Sequence, residues 1–217
     1  MTDAVYAILL AAGFSRRFAG MNKLLAPFRG KPLARHTLDL VCAMNRFERI
    51  FFVYADEEVA ALAHDALTAG LPVIPVKNSS PEKGQGESAR LGLASAAAFA
   101  DTNTETAGCD AVYYLFLPCD QPLLDAATLR LLLDAARPGC IVEPLYHHSP
   151  SLFSAAFRDE LLALKPGEYP RLLKSRHPDA VIQVEVPNPA ALEDIDTYDD
   201  LERLMGKGDC SLVPDPH

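Results

Sequence analysis

A CxxC pair is absent from this chain: Cys42, Cys109, Cys119, Cys140 and Cys210 are scattered over 217 residues. An odd, dispersed set builds no complete disulfide framework, so reduced and mostly buried thiols are expected. Long apolar runs are absent too. Nothing approaches a membrane span, and residues 1–10 lack the basic start and cleavage site of a secretory leader, so no membrane partner and a cytoplasmic location are expected. Positive charge is scarce overall. With 20 Lys and Arg against 29 Asp and Glu, for a net charge of -9, the chain carries no general footprint for nucleic acid or anionic lipid. Small molecules rather than polymers are the expected partners.

One scarcity is local and has the opposite sign. No acidic residue occurs from Ala4 to Leu38, yet that window holds Arg16, Arg17, Lys23, Arg29, Lys31 and Arg35. In an acidic protein this concentrates cations where an anion would sit. The window opens with the apolar run Ala7 to Leu10, which leads into Ala11-Ala12-Gly13. A backbone without a side chain at Gly13 can approach a phosphate or a flat base and donate its N–H groups to it. Two common phosphate loops are excluded. The Walker spacing is missing, and the dinucleotide fingerprint is matched only loosely, at Gly84-Gln85-Gly86-Glu87-Ser88-Ala89, which does not directly follow an apolar run.

What is present is alternation. Apolar or β-branched runs at 5–10, 49–54, 72–76, 111–117, 139–145 and 180–186 interleave with helical periodicity near 32–46, 57–69, 87–99, 125–136, 154–164 and 197–205. This predicts an α/β fold, a doubly wound and mostly parallel sheet with helices on both faces. Residues 1–205 are expected to form one unit and 206–217 a flexible tail. The polar run Thr102 to Cys109 reads as a mobile surface connection. In such sheets ligands gather at the carboxyl ends of the strands. Three loops qualify: Ala11 to Lys23, Asn78 to Ser88, and Pro118-Cys119-Asp120-Gln121-Pro122.

Asp120 follows the most apolar strand, so its carboxylate emerges at the ligand edge. A hard carboxylate there suits Mg²⁺ shared with substrate phosphates; an N-cap or turn aspartate for the helix near 125–136 is the alternative. Asp196-Thr197 reads as a helix start with Asp199 and Asp200 in the first turn. Should strand order bring Asp196 beside Asp120, the two carboxylates could hold one metal between them. His147 and His148, adjacent on an extended segment, point to opposite faces and make a poor chelate. Cys119 reads as a small buried residue rather than a nucleophile.

These loops carry a resemblance. Leu10-Ala11-Ala12-Gly13-x-Ser15-x-Arg17 followed by Lys23-Leu24-Leu25, with Ser88-Ala89-Arg90-Leu91-Gly92-Leu93, Pro118 to Pro122 and Asp194-Ile195-Asp196-Thr197, resembles the nucleotidyltransferases of molybdenum cofactor biosynthesis, the cytidylyltransferases especially. The resemblance runs from residue 5 to about residue 205 and implies a Rossmann-like nucleotidyltransferase fold. It further implies that Leu10, Ala11, Ala12, Gly13 and Ser88, with Asp120, bind the nucleotide. Arg17 and Lys23 would contact its phosphates, and Asp120 and Asp196 would bind Mg²⁺. Ala12, where guanylyl-transferring relatives usually carry a second glycine, points to CTP over GTP.

The implied reaction is in-line attack of an acceptor phosphate on the α-phosphorus of CTP with loss of pyrophosphate, in which the protein supplies positioning and charge. Molybdopterin is the implied acceptor and a molybdenum hydroxylase the implied recipient of the product. Departures from the family lie in three places. The Arg17 to Lys23 spacing is one residue longer. A Gly-His-Pro segment appears as His148-Ser149-Pro150, and a Gly-Asp-x-Gly-x-Arg element as Gly167-Glu168-Tyr169-Pro170-Arg171. His148, Ser149 and Arg171 are thereby the candidate acceptor residues. They are expected, with Glu168 and Tyr169, around one cleft that reaches Asp120. Two alternatives stay open: another small phosphorylated acceptor such as a sugar phosphate or methylerythritol phosphate, and a non-catalytic nucleotide-binding accessory for hydroxylase maturation.

Overall fold

The structure is a computed structural model that describes residues 3–13, 18, 21–103, 108, 109 and 111–206. An inner strand of its sheet is β1 (Ala4–Ala11), eight residues of which seven are buried and one is half-buried. A strand apolar on both sides belongs between two layers. It pairs in parallel with β4 (Arg49–Tyr54) and β6 (Val112–Pro118), Ile8 lying opposite Phe51 and Phe116. With β5 (Val73–Lys77), β7 (Ile141–Pro144), β8 (Ser151–Ser154) and β9 (Val181–Val184), the order is β5-β4-β1-β6-β8-β7-β9. All six strands expected from the sequence are present within a residue or two.

The seventh strand, β8, was not expected, and it runs antiparallel between β6 and β7. Four residues after a proline carry too short a pattern to register as a strand. A two-stranded ribbon, β2 (Pro27–Phe28) with β3 (Lys31–Pro32), was missed for the same reason. Arg29 and Gly30 join its strands with φ of 46° and 83°, the left-handed pair that a tight hairpin requires.

Successive residues of β1 serve opposite faces. Val5, Ala7 and Leu9 join Phe52, Leu115 and Leu117 in one core. That core is covered by α1 (Leu33–Met44), α2 (Glu57–Thr68) and α4 (Ala126–Asp134). Tyr6 and Ile8 join Phe51, Val53 and Phe116 in the other, beneath α3 (Gln85–Thr102) and α5 (Arg158–Leu162), with Leu173 of α6 (Arg171–Arg176). A Cβ at Gly92 would lie 2.4 Å from Ile8 Cγ2 and 2.8 Å from Val53 Cγ2, so α3 sits closer to the sheet than any larger residue allows. The expected helix at 154–164 is a 3-10 turn at Ala155–Phe157 followed by the short α5, and α6 was not expected.

A third cluster stands at the carboxyl ends of the strands. Phe18, Ala26, Phe28 and Leu33 pack on Ile195 and Leu201, and so fasten α7 (Tyr198–Met205) over the ligand edge. Thr197 caps α7 in a reciprocal capping box with Asp200, as the helix-start pattern predicts. No helix among the described residues is long and apolar enough to cross a membrane. The tail expected at 206–217 lies, but for Gly206, outside the described residues, as do 104–107 of the polar connection.

Candidate active site

Lys23 begins a 3-10 turn, Lys23–Leu25, set by the Asn22 side chain, which accepts from the Leu24 N–H and donates to Asp56 Oδ2 at 3.1 Å. From there Lys23 Nζ donates to Asp120 Oδ2 at 2.9 Å, to Asp196 Oδ1 at 2.9 Å and to the Ile195 carbonyl at 3.0 Å. Two carboxylates bonded to one nitrogen are separated by at most twice that distance, so strand order does bring Asp196 beside Asp120. The extra residue between Arg17 and Lys23 does not carry Lys23 away from them. Burial opposes the charge on Lys23, but attraction to Asp120 and Asp196 outweighs it and holds the ammonium above its ordinary pKa.

Asp120 stands two residues past β6. It is not a cap: Asp125 holds that position, accepting from the Thr128 N–H. The Asp120 carbonyl accepts the Ile195 N–H at 2.9 Å. Ile195 is fully buried, and in an extended segment its neighbours turn the other way, so Asp194 and Asp196 both face the cleft. Asp120 Oδ1 is a buried oxygen with no hydrogen-bond partner among the described residues. An orphaned carboxylate oxygen, with a second carboxylate across a shared cation, is an oxygen donor set of the kind Mg²⁺ or Mn²⁺ takes, water and phosphate completing the shell. No group of three or more His, Cys, Asp or Glu that could hold a metal occurs among the described residues. Asp120 and Asp196 therefore fit a shared ion, not a closed protein cage.

Asp194 is reachable by solvent, yet the protein closes around much of its carboxyl. That enclosure, then the charge of Asp120, pushes its pKa up to about 6, against the hydrogen bond it accepts from Gln121 Nε2 at 3.0 Å. A carboxyl raised in the folded state binds its proton more tightly there than in the unfolded chain, where it titrates near about 4. Stability contributed by that proton is full below about 4 and lost as pH rises to about 6. Relative to Asp194→Asn, which does not titrate, wild type should lose melting temperature across that window and hold a constant difference above it. A difference indifferent to pH in thermal scans would refute this.

A cleft of about 450 Å³ opens here, walled by Leu10 and Gln85 on one side and by Asp120, Asp194 and Asp196 on another. His148, Ser149, Tyr169 and Arg171 line it as well, as the sequence predicts. Glu168 does not; it lines an adjoining cavity. The 168–169 segment packs on the start of α3 so closely that a Cβ at Gly86 would fall 1.8 Å from the Glu168 carbonyl oxygen. Arg171 is exposed, its guanidinium 5.2 Å from the Tyr169 ring centre.

Other expected residues are placed differently. Ser88 is 2 % exposed, and its Oγ accepts from Asn78 Nδ2 at 2.9 Å. It fastens the Asn78–Ser80 turn to α3 and does not line the cleft; the residue of that loop that does is Gln85. A serine reads alike in sequence whether it faces a base or a neighbouring asparagine. Ala11 and Ala12 are buried, and Gly13 is exposed with no atom of the other described residues within 4 Å of where a Cβ would stand. Arg17 lies outside the described residues. Cys119 is buried, and burial and then Asp120 raise its thiol pKa, so it is no nucleophile. Cys42, Cys119 and Cys140 are free thiols.

Residues 7–181 match the family described as the MobA-like NTP transferase domain. The molybdenum cofactor guanylyltransferase of Pseudomonas fluorescens (strain SBW25) is 28% identical over 150 residues, 65% of this chain and 60% of that protein. The bifunctional protein GlmU of Dechloromonas aromatica (strain RCB) is 29% identical over 154 residues, 70% of this chain and 30% of its own. The chain thus spans less than two thirds of either relative. Among solved structures, Rv0371c from Mycobacterium tuberculosis H37Rv is similar with a TM-score of 0.67 at 26% identity, covering 94% of this chain and 98% of that one.

Proposed function

Because the chain belongs to the MobA-like NTP transferase domain family, we propose that it transfers a nucleotidyl group, CMP from CTP, to the phosphate of a small acceptor, molybdopterin, with release of pyrophosphate. The observation that carries this is the meeting of Lys23, Asp120 and Asp196 at the mouth of β1. A binding module has no need of two carboxylates at that edge, which is why the catalytic reading is preferred to an accessory role. The relative named as a molybdenum cofactor guanylyltransferase supports the acceptor class. The departures at 148–150 and 167–171 keep other phosphorylated acceptors open to test.

In this reading an oxygen of the acceptor phosphate attacks the α-phosphorus of CTP. The bond to the bridging oxygen of the β-phosphate breaks on the opposite side, and pyrophosphate leaves with that electron pair. The protein orients and neutralises; it supplies no nucleophile. Backbone N–H groups of Ala11 to Gly13, with Gln85, take the nucleotide, Lys23 and Arg17 meet its phosphates, and Arg171, a bidentate donor, meets the acceptor phosphate beside His148 and Ser149. Asp120 and Asp196 would hold Mg²⁺, which supplies charge neutralisation at the phosphates. The Rv0371c protein has been solved as a complex with manganese, in keeping with a divalent ion of this kind.

The direct experiment is pyrophosphate release from CTP with and without molybdopterin. Acceptor-dependent release is expected, and its absence with every phosphorylated acceptor tried would remove the assignment. Base choice is tested by calorimetry. The guanylyl name of one relative points the other way, and the preference for CTP rests on Ala12. CTP should bind more tightly than GTP by a factor of about ten to a hundred, the equivalent of one mispaired buried hydrogen-bonding group at ~1–3 kcal/mol. Equal or tighter GTP binding overturns it.

A further inference from the structure

Gln121 follows Asp120 directly, is 2 % exposed and does not line the cleft. Its side-chain nitrogen meets acceptors only: Nε2 donates to the Leu192 carbonyl at 3.1 Å and to Asp194 Oδ1 at 3.0 Å, and the Ser149 carbonyl stands at 3.5 Å. Those partners fix which way round the amide lies, because an oxygen in the same place would face oxygens. Its own Oε1 is left buried with no hydrogen-bond partner among the described residues. An orphaned acceptor is a cost to the fold, and a methionine would fill a similar volume without it. Packing therefore does not account for a glutamine here; its two amide protons do.

Both protons act on one stretch of chain. Residues 193–197 run without helix or strand from a 3-10 turn at Pro189–Leu192 to the start of α7, and they carry Asp194 and Asp196. Such a stretch has no ladder of its own, so its cross-links decide where its carboxylates stand. The Ile195 N–H meets the Asp120 carbonyl. Lys23 reaches the Ile195 carbonyl and the Asp196 carboxylate, but the second of these is an oxygen that a divalent ion would contest. Gln121 holds the Leu192 carbonyl and Asp194, neither of which carries that conflict. The loop at 148–151 does not depend on Gln121 in the same way. Lys174 Nζ, paired with Glu143 Oε2 at 2.7 Å, donates to the His148 carbonyl and to Ser151 Oγ at 2.7 Å each and anchors that loop itself.

We propose that Gln121 is a positioning residue for the transfer reaction: its amide protons hold residues 192–194, and through them set the Asp196 carboxylate beside Asp120 for the divalent ion the two would share. The inference rests on the proposed transfer reaction and deepens it. Gln121 touches neither substrate nor ion in this role. What it supplies is preorganisation, since two carboxylates already held together bind an ion more tightly than the same two free to separate. Residues that orient metal ligands without touching the metal act on affinity by about 10–100-fold.

The test is Mn²⁺ titration of the full chain, read by loss of the free-ion electron paramagnetic resonance signal, with thermal melts and acceptor-dependent pyrophosphate release on the same preparations. Gln121→Met, which keeps the volume and removes both donors, should weaken Mn²⁺ binding by about 10–100-fold and keep a cooperative melt. Gln121→Asn retains the amide but holds it one methylene short of its partners, and should weaken binding as well. The arm that separates positioning from general loosening is a double-mutant cycle with Asp196→Asn. Once that carboxylate is gone, Gln121→Met should change Mn²⁺ affinity by less than about twofold further, whereas independent losses would add. The proposal is overturned if both Gln121 variants bind Mn²⁺ as wild type does, if neither folds, if the losses add in the double variant, or if wild type binds no Mn²⁺. Wild type that binds Mn²⁺ and releases no pyrophosphate with any acceptor tried overturns the transfer reading instead, and with it the catalytic purpose given to Gln121, while the cycle still decides whether Gln121 positions Asp196.

Discussion

Asp120→Asn should lower acceptor-dependent pyrophosphate release by about three orders of magnitude, the scale on which single charge-stabilising groups act at phosphoryl and acyl centres, while the fold survives. The carboxylate has three duties in the structure, and asparagine can perform only one. Its Oδ2 pairs with Lys23, its buried Oδ1 stands without a partner, and its charge acts on Asp194. An amide oxygen can still accept from Lys23, which also keeps Asp196 and the Ile195 carbonyl, so no lysine charge is stranded. The link that holds the 194–196 segment, Ile195 N–H to the Asp120 carbonyl, is made by the main chain and does not depend on the substituted group. Melting temperature should therefore move by only a few degrees, about 2–4 °C per kcal/mol in a chain of this size. Turnover near the wild-type rate in saturating Mg²⁺ would reduce Asp120 to a structural residue.

The second large effect concerns the cation that Asp120 and Asp196 now share. Lys23 Nζ and a divalent ion are drawn to the same two carboxylates, so they oppose one another there. Lys23→Met should tighten Mn²⁺ binding, read by the loss of the free-ion electron paramagnetic resonance signal, by about tenfold, or ~1.4 kcal/mol for one partly buried like charge removed. The same substitution should slow turnover at least about a hundredfold, because a cation that would meet the nucleotide phosphates is gone. Opposite signs on the two readouts are the signature of a residue that competes with the metal and serves the substrate. Weaker Mn²⁺ binding in the variant would mean instead that Lys23 holds the carboxylates in place for the ion.

Local chemistry made much of this legible before any coordinates. An apolar run as long as Ala4 to Ala11 has nowhere to go but the middle of a sheet, and the alternation of such runs with helical periodicity implies parallel crossovers. The loops at the carboxyl ends follow from that topology, and with them Leu10, Lys23 and Asp120 as residues of one edge, whereas Asp196 joined them only on the condition that the fold brought it there. Signals this short in range fail where an element is short or a partner is distant. The strand β8 is four residues long and carries no period. Ser88 reads the same facing a base or facing Asn78.

Tertiary structure alone decided who meets whom. Lys23 is 97 residues from Asp120 and 173 from Asp196. Nothing in the residues around Lys23 announces those bonds, which exist because strand order sets β1 beside β6 and because burying Ile195 turns Asp194 and Asp196 outward. The Glu143–Lys174 pair is the same case. Each residue read singly is a charge expected at the surface, and only the packing of α6 against β7 takes both out of water and leaves one carboxylate facing a cavity. Sequence determines what each segment prefers, since propensity and periodicity are properties of neighbouring residues. The site belongs to the fold, because its charges are brought together by burial of apolar groups far from them along the chain.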